Sequence, residues 1–279
     1  MKDLDNQPQL FGHPIGLYVL FFTEMWERFS YYGMRAILIL YITTKTMDAN
    51  PGMGWSNGDA LKLYGLYTML VYVASIPGGL LADKVFGQKK AVLYGGLILV
   101  AGHCVLAITQ DWAFYTGLGL IIAGVGLLKP NISTMVGGLY KQGDERRDKG
   151  FTIFYIGINI GAFLSSLIVG YVGQKIGWHY GFGLAGIGML TGLIFFWSGI
   201  KKNVFGDKGM PPNQEVYEKK TLGIAQKTFI PIVATLCVPL IAFILASYKS
   251  ITTEDTFLIG EKNLVGLIFL GIGISIAVY

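Results

Sequence analysis

Apolar runs long enough to cross a membrane recur along this chain, at about 15–46, 61–82, 91–109, 112–139, 151–173 and 182–200. A helix of about 20 such residues spans the hydrocarbon of a bilayer. There it satisfies its backbone hydrogen bonds internally, which few other structures can do. The sequence therefore predicts an all-α integral membrane protein with at least six spanning helices. Composition agrees: 53% of the 279 residues are hydrophobic and 14% are charged, against about 25% charged in soluble proteins. A polar stretch follows at 201–227, with six lysines, Pro211 and Pro212. Two more apolar runs lie at about 229–247 and 264–279, and the second is unfinished at Tyr279, as expected of part of a longer chain.

Net charge is +5, but the bases sit in short segments between apolar runs, which reads as topology and not as nucleic-acid binding. The segments 83–90 and 141–149 and the stretch after 200 are rich in Lys and Arg. By contrast 47–60 and 110–111 have none and 174–181 has only Lys175. The even-numbered connections, and with them the amino terminus, are thus predicted to be cytoplasmic. The start, MKDLDNQPQLFGHP, is polar and has no cleavable signal, so the first helix is expected to direct insertion and remain. Cys104 and Cys237 lie inside apolar runs and read as small core residues, not a disulfide or metal pair. Most of the 39 glycines read as sites of close helix packing, with Gly157 and Gly161 a small-xxx-small pair.

One apolar run breaks the rule. "TEMWERFSYYGMR", residues 23–35, brings Glu24, Glu27, Arg28 and Arg35 into the middle of the first helix. Each charge near a bilayer centre costs about 2.5–3.5 kcal/mol even on insertion scales. At about 100° per residue, Glu24, Glu27, Arg28, Tyr31 and Arg35 share a stripe, opposite Trp26, Phe29 and Gly33. A surface-lying amphipathic helix fits poorly, because 15–46 would extend about 45 Å with its charges central. Glu24 and Arg28 also make a favourable i, i+4 pair, so internal pairing is the structural alternative. Buried ionisable groups in membranes more often mark a pathway or proton relay.

Other helices repeat the pattern. "GVGLLKPNIS", 124–133, places Lys129 in the fourth span beside Pro130, which predicts a kink next to the charge. "FYIGINIG", 154–161, sets Tyr155 and Asn159 one turn apart on the fifth span, and Tyr72 adds a polar-tipped aromatic on the second. A lone mid-span tyrosine is more often packing; together these residues predict a positively biased polar cavity between helices 1, 2, 4 and 5.

With "ExxERFxYYG" at Glu24–Gly33, "GVGLLKPNIS", "FTIFYIGINIGAF" and "GGLLADKVFGQKK" (78–90), the sequence resembles the proton-dependent oligopeptide transporters of the major facilitator superfamily. The resemblance runs through about 15–200. It implies two six-helix bundles with substrate between them, of which this chain is similar to the amino-terminal, bacterial-type half, without the carboxy-terminal bundle. The implied division is a cytoplasmic terminus at 1–14, the amino-terminal bundle at 15–200, a cytoplasmic loop at 201–228, and two inter-bundle helices at 229–279, the second cut short. The family further implies proton coupling through Glu24, Glu27 and Arg28, and a peptide carboxylate met by Arg35 and Lys129. Tyr31, Tyr32, Tyr72 and Asn159 would line the site with Tyr155 as neighbour, and Asp83 would belong to a cytoplasmic gate. The implied activity is import of di- and tripeptides with protons across the cytoplasmic (inner) membrane, with no cofactor. Its partners would be peptide, protons, membrane lipid and the carboxy-terminal bundle.

The residues alone leave other readings open: a facilitator for another small anion such as nitrate, or a non-transporting membrane receptor. An enzyme is not indicated, for the sequence shows no nucleophile–base constellation and no metal or nucleotide motif. His13 and His179 match no proton site, and His103 reads as a hydrogen-bonded packing residue.

Overall fold

Each of the six apolar runs becomes one helix, and α2 to α6 begin one to five residues before their apolar stretches. The structure is a computed structural model that describes residues 8–108, 110–211, 220–221, 224–225, 241 and 245. The helices are α1 (Ile15–Thr43), α2 (Asn57–Leu81), α3 (Gln88–Leu106), α4 (Asp111–Gly138), α5 (Arg146–Lys175) and α6 (Trp178–Lys201). Capping explains some of the extra length. Ser56 accepts the backbone N–H of Asp59 at 3.1 Å and donates to its carboxylate at 2.8 Å, so α2 begins at Asn57 and not at the first apolar residue. Among the described residues, five helices are long and apolar enough to cross a membrane; α1 falls outside that set by composition. The two inter-bundle helices expected at 229–279 lie outside the described residues, apart from helical positions at 241 and 245.

α1 packs chiefly against α5 and α6, α4 against α3 and α2, and α3 also meets α6; contacts of α1 with α2 and α4 are sparse. Leu17, Leu20, Met34, Ile37 and Ile42 of α1 are all buried. Small residues allow the close approaches. A Cβ at Gly157 would lie 3.1 Å from the Phe21 carbonyl oxygen, and one at Gly161 would clash with that of Met25. The predicted pair is therefore the α1–α5 seam. α4 is one continuous helix that contains Pro130, the residue beside Lys129 at which a kink is expected. Proline deprives the Gly126 carbonyl of its usual donor, and that oxygen faces Gly78 of α2, where a Cβ would clash with it. Asn131 ties the same seam: its Nδ2 donates to the Leu127 carbonyl at 2.6 Å and to that of Gly78 at 3.3 Å.

Two cysteine and histidine readings are corrected. Cys104 is exposed on α3 and not a core residue, because it faces outward from the bundle; Cys237 lies outside the described residues. His103 is fully buried, as expected of packing, yet neither ring nitrogen has a hydrogen-bond partner. His179 stacks on Tyr180, with ring centroids 4.0 Å apart.

The polar flanks are more ordered than a reading of them as free loops suggests. After α6, turns carry Val204 and Phe205 back into the core. Lys89 fastens them to α3 through its N–H to Gly209 (3.0 Å) and its Nζ to Gly206 (2.5 Å). A π-helical turn, Ala82–Phe86, joins α2 to α3 through Gly87, whose φ of +73° suits glycine. Two small hairpins complete the described structure: β1 (Gln9–Leu10) with β2 (His13–Pro14), and β3 (Lys220–Thr221) with β4 (Ile224–Ala225).

The first hairpin is clasped to the bundle. His13 Nδ1 lies 2.8 Å from the Tyr140 hydroxyl. Arg146 donates to the Gly12 carbonyl at 3.2 Å while holding Asp144 at 2.7 Å. Burial, then the charges of Arg146 and Lys149, lower the His13 pKa from 6.5, with Asp144 opposing. Burial pushes the Tyr140 hydroxyl up to about 12. The folded state thus prefers neutral His13. Its stabilising effect is complete above 6.5, the value in the unfolded chain, and is lost as pH falls through the lower folded value. In detergent, the protein should lose more thermal stability than its His13→Gln variant between about pH 7.5 and 5.5. Parallel melting curves for the two would exclude His13 as the titrating group.

Candidate functional site

α1 carries its charges inward. Glu24 is 3% exposed, Glu27 0% and Arg28 3%, so the stripe is enclosed by the bundle and not turned to bulk water. Arg28 Nε lies 2.9 Å from Glu24 Oε1 and 2.5 Å from Glu27 Oε2. Two carboxylates therefore share one guanidinium nitrogen. Glu24 Oε2, both Glu27 oxygens, and Arg28 Nε and Nη2 have no partner in hydrogen-bond geometry. The opposite face of α1, with Trp26 and Phe29, instead borders an apolar cavity of about 250 Å³ between α1, α5 and α6.

A second cluster continues along α1. The Arg28 guanidinium carbon lies 5.7 Å from the ring centre of Tyr31 and 5.9 Å from that of Tyr32. Arg35 approaches the same rings at 5.5 and 6.0 Å. Tyr31 is buried, while Tyr32 and Arg35 are partly exposed. Arg35 reaches across to α2, where Nε donates to the Tyr64 hydroxyl at 2.6 Å and Nη2 donates to the same oxygen. Sequence reasoning missed Tyr64. The available signal was its place eight residues before Tyr72, on the same broad face of α2.

From α4, Lys129 places Nζ 4.4 Å from the centre of the Tyr72 ring. Tyr72 is 58% exposed. The α5 residues stand apart: Tyr155 and Asn159 are both exposed, and the Asn159 amide donates to the Tyr155 carbonyl at 3.0 Å, within its own helix. Among the described residues, no hydrogen bond joins them to Arg35 or Lys129. Asp83, exposed in the π-helical turn, accepts from Gln88 at 2.9 Å. No group of three or more potential metal ligands occurs among the described residues.

The arrangement is a helical membrane bundle that encloses an acid–base triad, and buried ionisable groups of this kind mark functional sites in membranes. Comparison with known proteins narrows the class. The sequence profile of the POT family matches residues 89–228. An uncharacterised transporter of Bacillus subtilis (strain 168) is 48% identical over 245 residues, 85% of this chain and 49% of that protein. A di-/tripeptide transporter of Lactococcus lactis subsp. cremoris is 41% identical over 271 residues, 96% of this chain and 53% of that one. A crystal structure of a peptide transporter POT in complex with sulfate superposes with a TM-score of 0.75 at 43% identity, over 99% of this chain and 55% of that one. This chain belongs to the POT family. It spans about half the length of the curated relatives it matches, and these relatives are transporters, not enzymes.

Removing Arg28 should be costly, because it would leave two buried carboxylates without a counter-charge. Arg28→Gln is expected to destabilise by about 3–5 kcal/mol. Arg28→Gln with Glu27→Gln should recover part of the loss. Thermal unfolding in detergent measures both. A double variant no more stable than the single would show that the two side chains are not energetically paired.

Proposed function

We propose that this chain is the amino-terminal half of a proton-coupled symporter that imports di- and tripeptides across the cytoplasmic membrane by alternating access. The observation that carries the reading is the buried Glu24–Arg28–Glu27 triad. Two carboxylates and one guanidinium sum to −1 when all are ionised, so one proton leaves a neutral triad. Lys129 otherwise offsets that surplus from α4. A peptide carboxylate drawn to Lys129 and Arg35 occupies the same positive charge. Proton on the triad and carboxylate on the cations then favour each other. At an effective dielectric of about 20, unit charges 4 Å apart interact by about 4 kcal/mol. Even a fraction of this reaches the 1–3 kcal/mol typical of coupled sites.

In this reading Arg35 presents a planar fork to the carboxylate and Lys129 a compact charge. Tyr31, Tyr32, Tyr72 and Asn159 line the peptide site, with Tyr155 beside them. The exposed positions of Tyr72, Tyr155 and Asn159 are consistent with a surface completed by a carboxy-terminal six-helix bundle. Asp83 sits at a cytoplasmic gate whose partners belong to that bundle. The amino terminus at 1–14 faces the cytoplasm, 15–200 forms the transporting bundle, 201–228 is a cytoplasmic loop, and 229–279 adds inter-bundle helices. Names carried by the relatives, di-/tripeptide transporter among them, support the substrate class.

Glu24→Gln and Glu27→Gln, made in the complete transporter, should each abolish accumulation driven by an imposed pH gradient while some peptide exchange persists. Proteoliposome uptake of a labelled dipeptide measures both. Undiminished accumulation in both variants would remove the coupling role. Competition by nitrate equal to that by unlabelled dipeptide would point to the anion-facilitator alternative.

A further inference from the structure

Arg35 is the stripe's outlying cation, seven residues and so about 10 Å along the axis from Arg28. Its long side chain would be free to swing toward the triad, which carries surplus negative charge when fully ionised. Two contacts oppose that swing. Both guanidinium groups lie against the same two rings, Tyr31 and Tyr32, within 5.5–6.0 Å of each ring centre. On the far side the Tyr64 hydroxyl accepts from both Nε, at 2.6 Å, and Nη2 of Arg35. The Tyr64 ring itself lies 5.1 Å from the guanidinium carbon. One oxygen therefore holds the Nε/Nη2 edge and leaves the Nη1/Nη2 end, which can also take the two oxygens of a carboxylate. The remaining Nη1 group has no hydrogen-bond partner among the described residues, and a hydroxyl that has accepted two bonds still has its own hydrogen to donate.

We infer that Tyr64 is a positioning residue, which fixes the Arg35 guanidinium on the α2 side of the Tyr31–Tyr32 pair and keeps it available to an anionic ligand instead of the Glu24–Arg28–Glu27 triad. The inference rests on the proposed role of Arg35 in holding a peptide carboxylate. Tyr64 acts through Arg35, and it does so from a different helix. Relative movement of α1 and α2, whose mutual contacts are sparse, would consequently alter the ligand site through this one bond. A tyrosine that merely filled space would have no reason to discriminate among ligands by their charge.

The test compares a dipeptide with its carboxy-terminal amide in competition binding to the complete transporter, using the parent, Tyr64→Phe, Tyr64→His and Arg35→Ala. The parent should prefer the acid. Tyr64→Phe should weaken acid binding by about 3- to 10-fold, as expected for loss of one orienting hydrogen bond, and leave amide binding unchanged. Tyr64→His, whose ring nitrogen can accept from Arg35, should restore part of the acid preference. Adding Tyr64→Phe to Arg35→Ala should cause no further loss. Equal weakening of acid and amide by Tyr64→Phe, or additive losses in the double variant, would overturn the positioning role while leaving Arg35 as a ligand. A parent that does not distinguish acid from amide would overturn the carboxylate reading of Arg35, and the role of Tyr64 with it.

Discussion

A guanidinium clasped between two carboxylates, in a place that water does not reach, sets the terms for the rest of this bundle. Ions of this size lose several kcal/mol each on leaving water, and only close mutual contact offsets the loss. Glu24, Glu27 and Arg28 can therefore be enclosed only together, at 2.9 and 2.5 Å. Their enclosure requires α1 to be covered on several sides. Glycines at the α1–α5 seam bring the backbones close enough to do this, as the approach of Gly157 to Phe21 shows. The result is a first helix that lipid alone could not solvate, and that its apolar neighbours, α5 and α6 above all, make tolerable.

The triad's imbalance also shapes its surroundings. An arginine and two glutamates leave one negative charge over, which in the proposed mechanism Lys129 of α4 offsets. Arg35, by contrast, is kept apart by aromatic rings and bound to Tyr64. One cation thus tempers the buried acids while another is held in reserve beside a partly exposed surface. The same separation that makes the fold electrostatically tolerable leaves positive charge for a ligand.

The helices were legible because hydrophobic runs of spanning length admit little else in a bilayer, and the charged stripe because four ionised groups in such a run demand a reason. Helical spacing sufficed to place Glu24, Glu27 and Arg28 together, since all three lie on one helix. What spacing along one helix cannot supply is contact between helices. Tyr64 was overlooked for that reason: its bond to Arg35 spans 29 positions and depends on how α2 meets α1. The clasp of His13 on Tyr140 joins positions 127 apart and was equally invisible. Cys104 was misplaced because an apolar run does not reveal which of its faces turns inward, and the buried Phe205 was hidden by the lysine-rich composition around it.

Coupling between the triad and a carboxylate at the neighbouring cations is the centre of this account, and proton uptake on ligand binding tests it most directly. The complete transporter, in detergent and weakly buffered near neutral pH with an indicator dye, would be mixed with a dipeptide or with the same dipeptide as its amide. The account predicts that the free acid draws protons from solution onto the protein and that the amide draws markedly fewer. Saturating binding of the acid with no change in bound protons would contradict it.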